Sequence, residues 1–141
     1  MGLFSWGKSK PRVLVADDDD SMRAMISTAL EGAGYAVEAV VNGGEAFERL
    51  SRGVYALAVL DHQMPRMTGL QVLEALSSAG RSGRTPVLML TAESRPAVVD
   101  KALAYRIAGY VIKQPFDLAR FLARVKNILD GPAAPGSAPP P

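Results

Sequence analysis

Polar side chains stand directly after four of the five short apolar runs in this chain. Asp17 and Asp18 follow the first run, Asp61 the third, Thr91 the fourth and Lys113 the fifth. If the runs are parallel strands, their carboxyl ends share one edge of a sheet and these side chains meet there. Three carboxylates brought together raise one another's pKa unless a cation lies among them. Oxygen ligands without histidine or cysteine suit Mg²⁺ or Mn²⁺, and Mg²⁺ pairs naturally with phosphate.

Such a cluster predicts phosphoryl transfer to a carboxylate. A carboxylate can attack phosphorus and form an aspartyl phosphate. The reaction then needs mainly positioning and stabilisation of the equatorial oxygens, which a metal ion, the Lys113 ammonium and the Thr91 hydroxyl would supply. Taken singly, Lys113 is equally compatible with a solvated surface lysine and Thr91 with a turn residue. Their convergence with Asp17, Asp18 and Asp61 favours the chemical interpretation.

Three neighbouring polar residues are predicted to have structural roles. Asp19 and Asp20 follow the same strand and suit the cap of the next helix. His62 is the only histidine, so it has no partner histidine for a metal site, and we predict a surface residue.

The elements that would position the cluster alternate between two periodicities. Short apolar, β-branched runs at Val13–Ala16, Val37–Val41, Ala56–Leu60, Val87–Leu90 and Tyr110–Ile112 predict buried strands. Amphipathic helical stretches separate them, with predicted caps at Asn42, Thr68, Ser94 and Asp117 and a first-turn proline at Pro96. Strict alternation of strand and helix predicts an α/β domain with a parallel sheet, right-handed crossovers and helices on both faces.

Length and composition limit the class of protein. The 141 residues suit one domain, and the absence of cysteine excludes disulfides and thiolate metal sites. No apolar run approaches the ~20 residues that span a bilayer, and no secretory signal is visible, so we expect a cytoplasmic protein without stable membrane insertion. The net charge is only +2, and few aromatics lie among the basic residues, so we expect no nucleic-acid partner.

Two tails bracket the regular region. Residues 1–10 mix aromatics, glycine and lysine, and we expect a flexible leader. Residues 131–141 are rich in proline and alanine and carry no charge, which predicts a disordered tail. The folded domain is therefore expected to span residues 11–130.

Four segments of the chain resemble the receiver domain of bacterial two-component response regulators, particularly the single-domain chemotaxis kind. They are VLVADDDDSMR, LDHQMPRMTGLQVL, PVLMLTAES and GYVIKQPF, and the resemblance covers about residues 11–130. It implies a doubly wound, flavodoxin-like (β/α)5 fold with five parallel strands in the order 2-1-3-4-5.

The resemblance also implies a role for each site residue. Asp61 would be the phosphoacceptor, Asp18 would bind the metal directly, and Asp17 would assist through water. Asp61 and the backbone carbonyl of Gln63 would complete the protein's metal ligands. Lys113 would pair with the phosphoryl group.

Three further roles concern signalling. Thr91 resembles the switch hydroxyl, and Tyr110 the aromatic side chain that moves with it. Gln63 and Glu93 stand at positions that tune the lifetime of the phosphorylated state.

In this family a histidine kinase, a phosphotransfer protein or a small phosphodonor loads the acceptor. The domain catalyses only its own phosphorylation and slow dephosphorylation, so we expect a signalling protein and not an enzyme. Its output would be a protein target that binds the surface of the fourth helix, fifth strand and fifth helix. Only a proline-rich tail follows the last helix, so we expect a stand-alone receiver.

Two positions depart from the family pattern. Gln114 separates Lys113 from Pro115, where the family places proline directly after its lysine. Any cis bond is then expected at Gln114–Pro115, since only proline's tertiary amide makes that isomer accessible. Arg106 stands where a glycine commonly ends the fourth helix.

Three alternatives come from other classes of protein. Asp17, Asp19 and Ser21 loosely match the loop of haloacid-dehalogenase-type phosphatases, which would turn over phosphate monoesters. Residues 2–9 satisfy the phosphate-binding pattern G-x-x-x-x-G-K-[ST], but no strand precedes them and Pro11 disfavours a following helix. The third alternative is a docking module whose binding does not depend on phosphorylation, with Leu3, Phe4 and Trp6 in contact with a partner.

Overall fold

Strands and helices alternate strictly in the computed structural model, which describes residues 9–92 and 96–130. The strands are β1 (Arg12–Ala16), β2 (Ala36–Val40), β3 (Leu57–Asp61), β4 (Val87–Thr91) and β5 (Gly109–Ile112). The helices are α1 (Asp20–Gly32), α2 (Gly43–Arg52), α3 (Gly69–Ser78), α4 (Pro96–Leu103) and α5 (Leu118–Asp130). No helix among them is both long enough and apolar enough to cross a membrane. The expectations for Ser94, for the tail and for most of the leader lie outside the described residues.

All four strand pairings are parallel, and the sheet order is β2-β1-β3-β4-β5. This confirms the predicted flavodoxin-like order. The chain reverses direction across the sheet between β1 and β3, so a crevice forms at their carboxyl ends. β2 lies at the edge of the sheet, in agreement with the charge of Glu38 in an otherwise apolar run.

Two apolar layers cover the sheet, because successive strand residues point to opposite faces. In β1, Val13 and Val15 pack with the buried side chains of α1 and α5. Leu14 and Ala16 pack on the other face with buried residues of α2, α3 and α4. With both faces covered, β3 and β4 are buried along their whole length, and the polar ends of these strands are held rigidly.

Helix caps fix the loops that surround the crevice. The Asp19 carboxylate accepts hydrogen bonds from the backbone of Ser21 at 2.9 Å and Met22 at 3.1 Å. Thr68 and Gln71 form the predicted capping box at the start of α3. These caps fix where the chain enters α1 and α3, directly after the acidic strand ends.

A second polar cluster lies away from the crevice, around Glu38 on β2. Its carboxylate accepts from Arg12 at 3.1 Å and from the Tyr55 hydroxyl at 2.9 Å, and it also pairs with Arg49. The Arg12 guanidinium lies 4.5 Å from the centre of the Tyr55 ring. The cluster therefore ties the start of β1, the edge strand, α2 and the segment before β3 together.

We expect Glu38→Gln to lower the free energy of unfolding by about 1–2 kcal/mol, measured by urea denaturation. The neutral amide weakens two charged pairs and the tyrosine hydrogen bond, although partial exposure screens them. Glu48→Gln is the matched control, because the Glu48 carboxylate is 59% exposed and, among the described residues, forms an ion pair with Arg52 alone, at 3.7 Å. Equal midpoints for the two variants would show that the Glu38 cluster adds nothing to stability.

Candidate functional site

Three carboxylates meet at the carboxyl ends of β1 and β3. Asp17 is fully buried, Asp61 is 3% exposed, and Asp18 is exposed to solvent. One oxygen from each lies within 4.8 Å of the others. Because β1 and β3 are neighbours in the sheet, residues 44 positions apart are brought to one corner of the crevice.

The Lys113 ammonium lies between two of these carboxylates. Its Nζ is 3.2 Å from Asp17 Oδ2 and 3.2 Å from Asp61 Oδ2, and the side chain is only 15% exposed. The Lys113 backbone N–H donates to the carbonyl of Thr91 at 2.8 Å, which attaches the segment after β5 to the end of β4. The predicted convergence of Asp17, Asp18, Asp61 and Lys113 is therefore observed.

Backbone groups orient the two buried carboxylates. Asp17 Oδ1 accepts from the Asp19 N–H at 2.9 Å, and Asp61 Oδ1 faces the Gln63 N–H at 3.4 Å. The other oxygen of each carboxylate faces Lys113. Each side chain is thus held at both oxygens, which fixes its direction in the crevice.

The pKa values of Asp61 and Lys113 both lie above their ordinary values, for different reasons. Burial, reinforced by the negative charge of Asp17, raises the pKa of Asp61 from 3.8 to about 7 even though Lys113 opposes the shift. For Lys113, burial lowers the pKa, but Asp61 and Asp17 outweigh it and the net pKa lies above its usual value. One cation is therefore too little to neutralise this cluster.

The donor set suits a hard divalent cation. It consists of carboxylate oxygens with no nitrogen or sulfur ligand within the group, which is what Mg²⁺ and Mn²⁺ prefer. Burial first, and then the negative charge of Asp17, raises the pKa of Asp61, and a bound cation would oppose both effects. The residues therefore fit the metal that the sequence predicts.

The remaining predicted residues fall at different distances from the cluster. Thr91 ends β4 at 4% exposure, and Gln63 is exposed beside Asp61. Tyr110 is on the edge strand β5 with 36% of its surface exposed, away from the carboxylates. Glu93 lies outside the described residues. His62, predicted as a surface residue, is half-buried, and its backbone N–H donates to the carbonyl of Leu90 at 2.8 Å.

Two residues near the site were not identified from the sequence. Arg23 donates to the backbone carbonyl of Asp17 at 2.9 Å and pairs with Asp20 at 2.6 Å, so it ties α1 to the end of β1. Gly69 lies where a Cβ would come within 2.8 Å of the Asp61 carbonyl oxygen. The three-residue spacing of Asp20 and Arg23 hints at the first contact, but only packing reveals the second.

Both departures from the resembled pattern are visible in the backbone. The peptide bond between Gln114 and Pro115 is cis, as predicted. Arg106 adopts φ 60°, a left-handed conformation that favours glycine. The segment after Lys113 and the turn after α4 therefore contain Gln114 and Arg106 where the resembled pattern has proline and glycine.

The doubly wound sheet and the acidic crevice at its switch point define an α/β receiver-type domain. The response regulator receiver domain family matches residues 13–126. The chain belongs to this family. Its members are phosphoacceptor signalling domains of two-component systems, which take phosphate from histidine kinases onto an aspartate and bind Mg²⁺ at an acidic pocket.

Similar proteins include transcription regulators and chemotaxis proteins. The transcriptional regulatory protein TctD of Salmonella typhimurium is 38% identical over 119 residues, 84% of this chain and 51% of that protein. The chemotaxis response regulator CheY4 of Vibrio cholerae has a TM-score of 0.77 at 32% identity, with 86% of this chain and all of that chain covered. A CheY-like receiver domain from Methanospirillum hungatei has a TM-score of 0.78 at 26% identity, over 86% of this chain and 95% of that one. The chain spans about half the length of the curated relatives it matches.

Proposed function

We propose that this chain is a Mg²⁺-dependent phosphoacceptor whose acceptor is Asp61. The observation that carries the proposal is the position of that carboxylate. It is almost fully buried, 3.2 Å from a lysine ammonium and clustered with two further carboxylates. Three carboxylates without enough positive charge repel one another and so destabilise the folded chain. Their clustering is therefore better explained by binding of a cation and of an incoming phosphoryl group.

In the proposed reaction, a carboxylate oxygen of Asp61 attacks the phosphorus of a phosphohistidine or of an acyl phosphate such as acetyl phosphate. The new bond joins the Asp61 oxygen to phosphorus. The bond from phosphorus to the donor's nitrogen or oxygen breaks, and the donor's imidazole or carboxylate departs with that electron pair. Lys113 is placed to pair with an oxygen of the transferred group, since its Nζ already lies beside Asp61. Attack of water on phosphorus later returns the carboxylate and releases inorganic phosphate.

The metal would be held by Asp17, Asp18, Asp61 and the backbone carbonyl of Gln63. When bound, Mg²⁺ supplies positive charge that neutralises the transferred phosphoryl oxygens and keeps Asp61 ionised. Burial of Asp17 and its hydrogen bond from Asp19 hold that carboxylate ready, while the exposed Asp18 gives the site access to solvent. Gln63 and Glu93 are proposed to tune the lifetime of the acyl phosphate.

The signal is proposed to leave through the surface of α4, β5 and α5. Thr91 and Tyr110 are the proposed switch residues. The hydrogen bond from the Lys113 backbone N–H to the Thr91 carbonyl links β4 to the segment after β5 near the site. A groove of about 570 Å³, lined by Tyr110, Phe121 and Arg124 among others, lies between β5 and α5 and offers space for a protein target. Phosphorylation can shift the equilibrium between two conformations of this surface only by the difference in its interaction free energy with the two.

We further propose that residues 11–130 signal in the cytoplasm as a receiver by themselves. Support comes from the Vibrio cholerae chemotaxis regulator, which is matched over its whole solved chain. The size of the native protein on an immunoblot tests this part. A band much larger than that of the 141-residue chain would contradict it.

Intact-mass analysis after incubation with acetyl phosphate and Mg²⁺ tests the acceptor. We expect one added phosphoryl group on the wild type and none on Asp61→Ala, with the wild-type signal lost on chelation of Mg²⁺. Asp100→Ala, on the exposed side of α4, is the matched control and should label like the wild type. A phosphoryl mass on Asp61→Ala would remove Asp61 from the reaction, and continued release of phosphate from a monoester would favour the phosphatase alternative.

A further inference from the structure

A cleft of about 210 Å³ lies at the opposite end of the sheet from the carboxylates. It opens at Val87, the first residue of β4, whereas the acidic crevice lies at the last residue of that strand. Its floor is apolar and consists of Leu50, Leu73, Leu76 and Val87, each less than 10% exposed. No residue of the proposed phosphoacceptor site lines it.

Three arginines, Arg81, Arg84 and Arg106, line the cleft and are exposed. In the described part of the chain, none of their guanidinium groups has an ion pair or a side-chain hydrogen bond, and no acidic residue lines the cleft. Arg12 and Arg49, by contrast, are both paired with the Glu38 carboxylate. The cleft is thus an apolar depression surrounded by uncompensated positive charge.

Arg106 adopts an unfavourable backbone conformation at this position. Its φ of 60° lies in the left-handed region, which is unfavourable for a non-glycine residue. The turn around it is held by hydrogen bonds from the Arg106 N–H to Leu103 at 2.9 Å and from the Ala108 N–H to Val87 at 2.7 Å. A strained residue that the surrounding structure holds in place is a feature of binding sites. Glycine would relieve the strain here, but it would remove the charge.

We propose that this cleft is a docking site for an acidic segment of a partner protein, which inserts one large apolar or aromatic side chain between the three arginines. The cleft is smaller than the roughly 300–1,000 Å³ of small-molecule pockets, so it suits a single side chain. Three unpaired guanidinium groups favour carboxylates on either side of that anchor. The chain's own leader is a poor occupant, because Lys8 and Lys10 are the only charged side chains in residues 1–10 and both are positive, like the arginines of the cleft.

This docking involves neither a phosphoryl group nor a metal, and the cleft shares no lining residue with the groove between β5 and α5. Its test therefore needs neither Mg²⁺ nor a phosphodonor, and its failure leaves the proposed phosphoacceptor untouched. The probe is an end-blocked pentapeptide with tryptophan between two pairs of acidic residues, titrated into the ¹⁵N-labelled full chain and followed by amide chemical shifts.

We expect saturable shifts confined to the amides that line the cleft, in residues 81–85, 87 and 105–107 and at Leu50, Leu73 and Leu76. Replacing the peptide's tryptophan by alanine should weaken binding at least about tenfold, as removal of an anchor side chain does. Replacing its acidic residues by lysine should abolish the shifts. Shifts centred on β5 and α5, or none at millimolar peptide, would overturn the proposal.

Variants of the chain make the test specific. Arg106→Gly accepts the left-handed backbone, so it should remain folded and bind about threefold to fivefold more weakly; Arg84→Glu combined with it should abolish binding. Arg120→Ala, an exposed arginine of α5 outside the cleft, is the control and should bind like the wild type. Unchanged affinity in Arg106→Gly would contradict the proposed role of the arginines.

Two other occupants are distinguished by the same variants. Concentration-dependent self-association that Arg106→Gly abolishes would assign the cleft to a second copy of the chain. Shifts of the cleft amides on deletion of residues 1–8 would assign it to the leader. Either result would overturn the partner-protein proposal.

Discussion

Asp61→Asn should stabilise the metal-free protein at pH 8 by about 2–4 kcal/mol. Asp61 has a pKa of about 7 in the folded chain against 3.8 for an ordinary aspartate, so ionising it costs folding free energy. Each unit of pKa corresponds to about 1.4 kcal/mol, and the attraction of Lys113 is already included in the shifted value. The amide removes this cost because it carries no charge beside Asp17.

The pH dependence has a definite sign. A carboxyl whose folded pKa is raised binds its proton more tightly when folded, so the wild type loses stability from this group as pH rises from about 4 to about 7. The advantage of Asp61→Asn is therefore complete above about pH 7, shrinks on acidification and disappears near pH 4. Urea denaturation at several pH values, with a chelator present, measures the difference.

The control for this prediction is Asp100→Asn, which changes an exposed carboxylate of α4 and should leave the midpoint unchanged at every pH. Mg²⁺ supplies a second check. At a concentration of about 100 times its Kd it should stabilise the wild type by about 2.7 kcal/mol and the variant by less. A variant less stable than the wild type at pH 8 without metal would show that Asp61 is not under electrostatic strain.

Lys113→Met should have the opposite effect and lower the free energy of unfolding by about 2–4 kcal/mol at pH 8 without metal. The lysine is the cation in contact with both Asp17 and Asp61, each at 3.2 Å, and both carboxylates are buried. Removing one partner of a buried ion pair leaves an uncompensated charge, which costs more than the pair itself contributes. The loss should be smaller at pH 5, because Asp61 then takes up a proton.

Chemical denaturation with and without Mg²⁺ measures this effect. The variant should gain more stability from Mg²⁺ than the wild type does, since the metal replaces the missing positive charge. Lys126→Met is the matched control: Lys126 contacts Asp130 at 3.4 Å, but it is 73% exposed and should change little. Equal losses in the two lysine variants would mean that Lys113 is not coupled to the carboxylates.

The two variants together separate charge from packing. Asp61→Asn removes a negative charge from the crevice and Lys113→Met removes the positive one, while both keep side chains of similar size. Opposite signs are expected only if the excess negative charge of the cluster controls its energy. If both variants destabilise equally, the crevice is held by packing and hydrogen bonds.

Much of the architecture was predictable from the sequence because its signals are local. Apolar runs such as Val87–Leu90 and caps such as Thr68 with Gln71 act within one element, so alternation of strand and helix follows from neighbouring residues. Polar residues at strand ends predicted the acidic corner, because parallel strands must share one carboxyl edge. The family pattern supplied the order of the strands.

Other features depended on how distant segments pack. The sequence alone determined which residues reach the crevice, namely Asp17, Asp18, Asp61 and Lys113. Only the tertiary structure decided that Asp61 is buried beside Asp17, which raises the pKa of Asp61, and that Lys113 lies equally close to both carboxylates and opposes that rise. It also decided that unpaired arginines surround an apolar cleft at the other end of β4. Burial and distance between residues far apart in the chain set these energies, and no local pattern encodes either quantity.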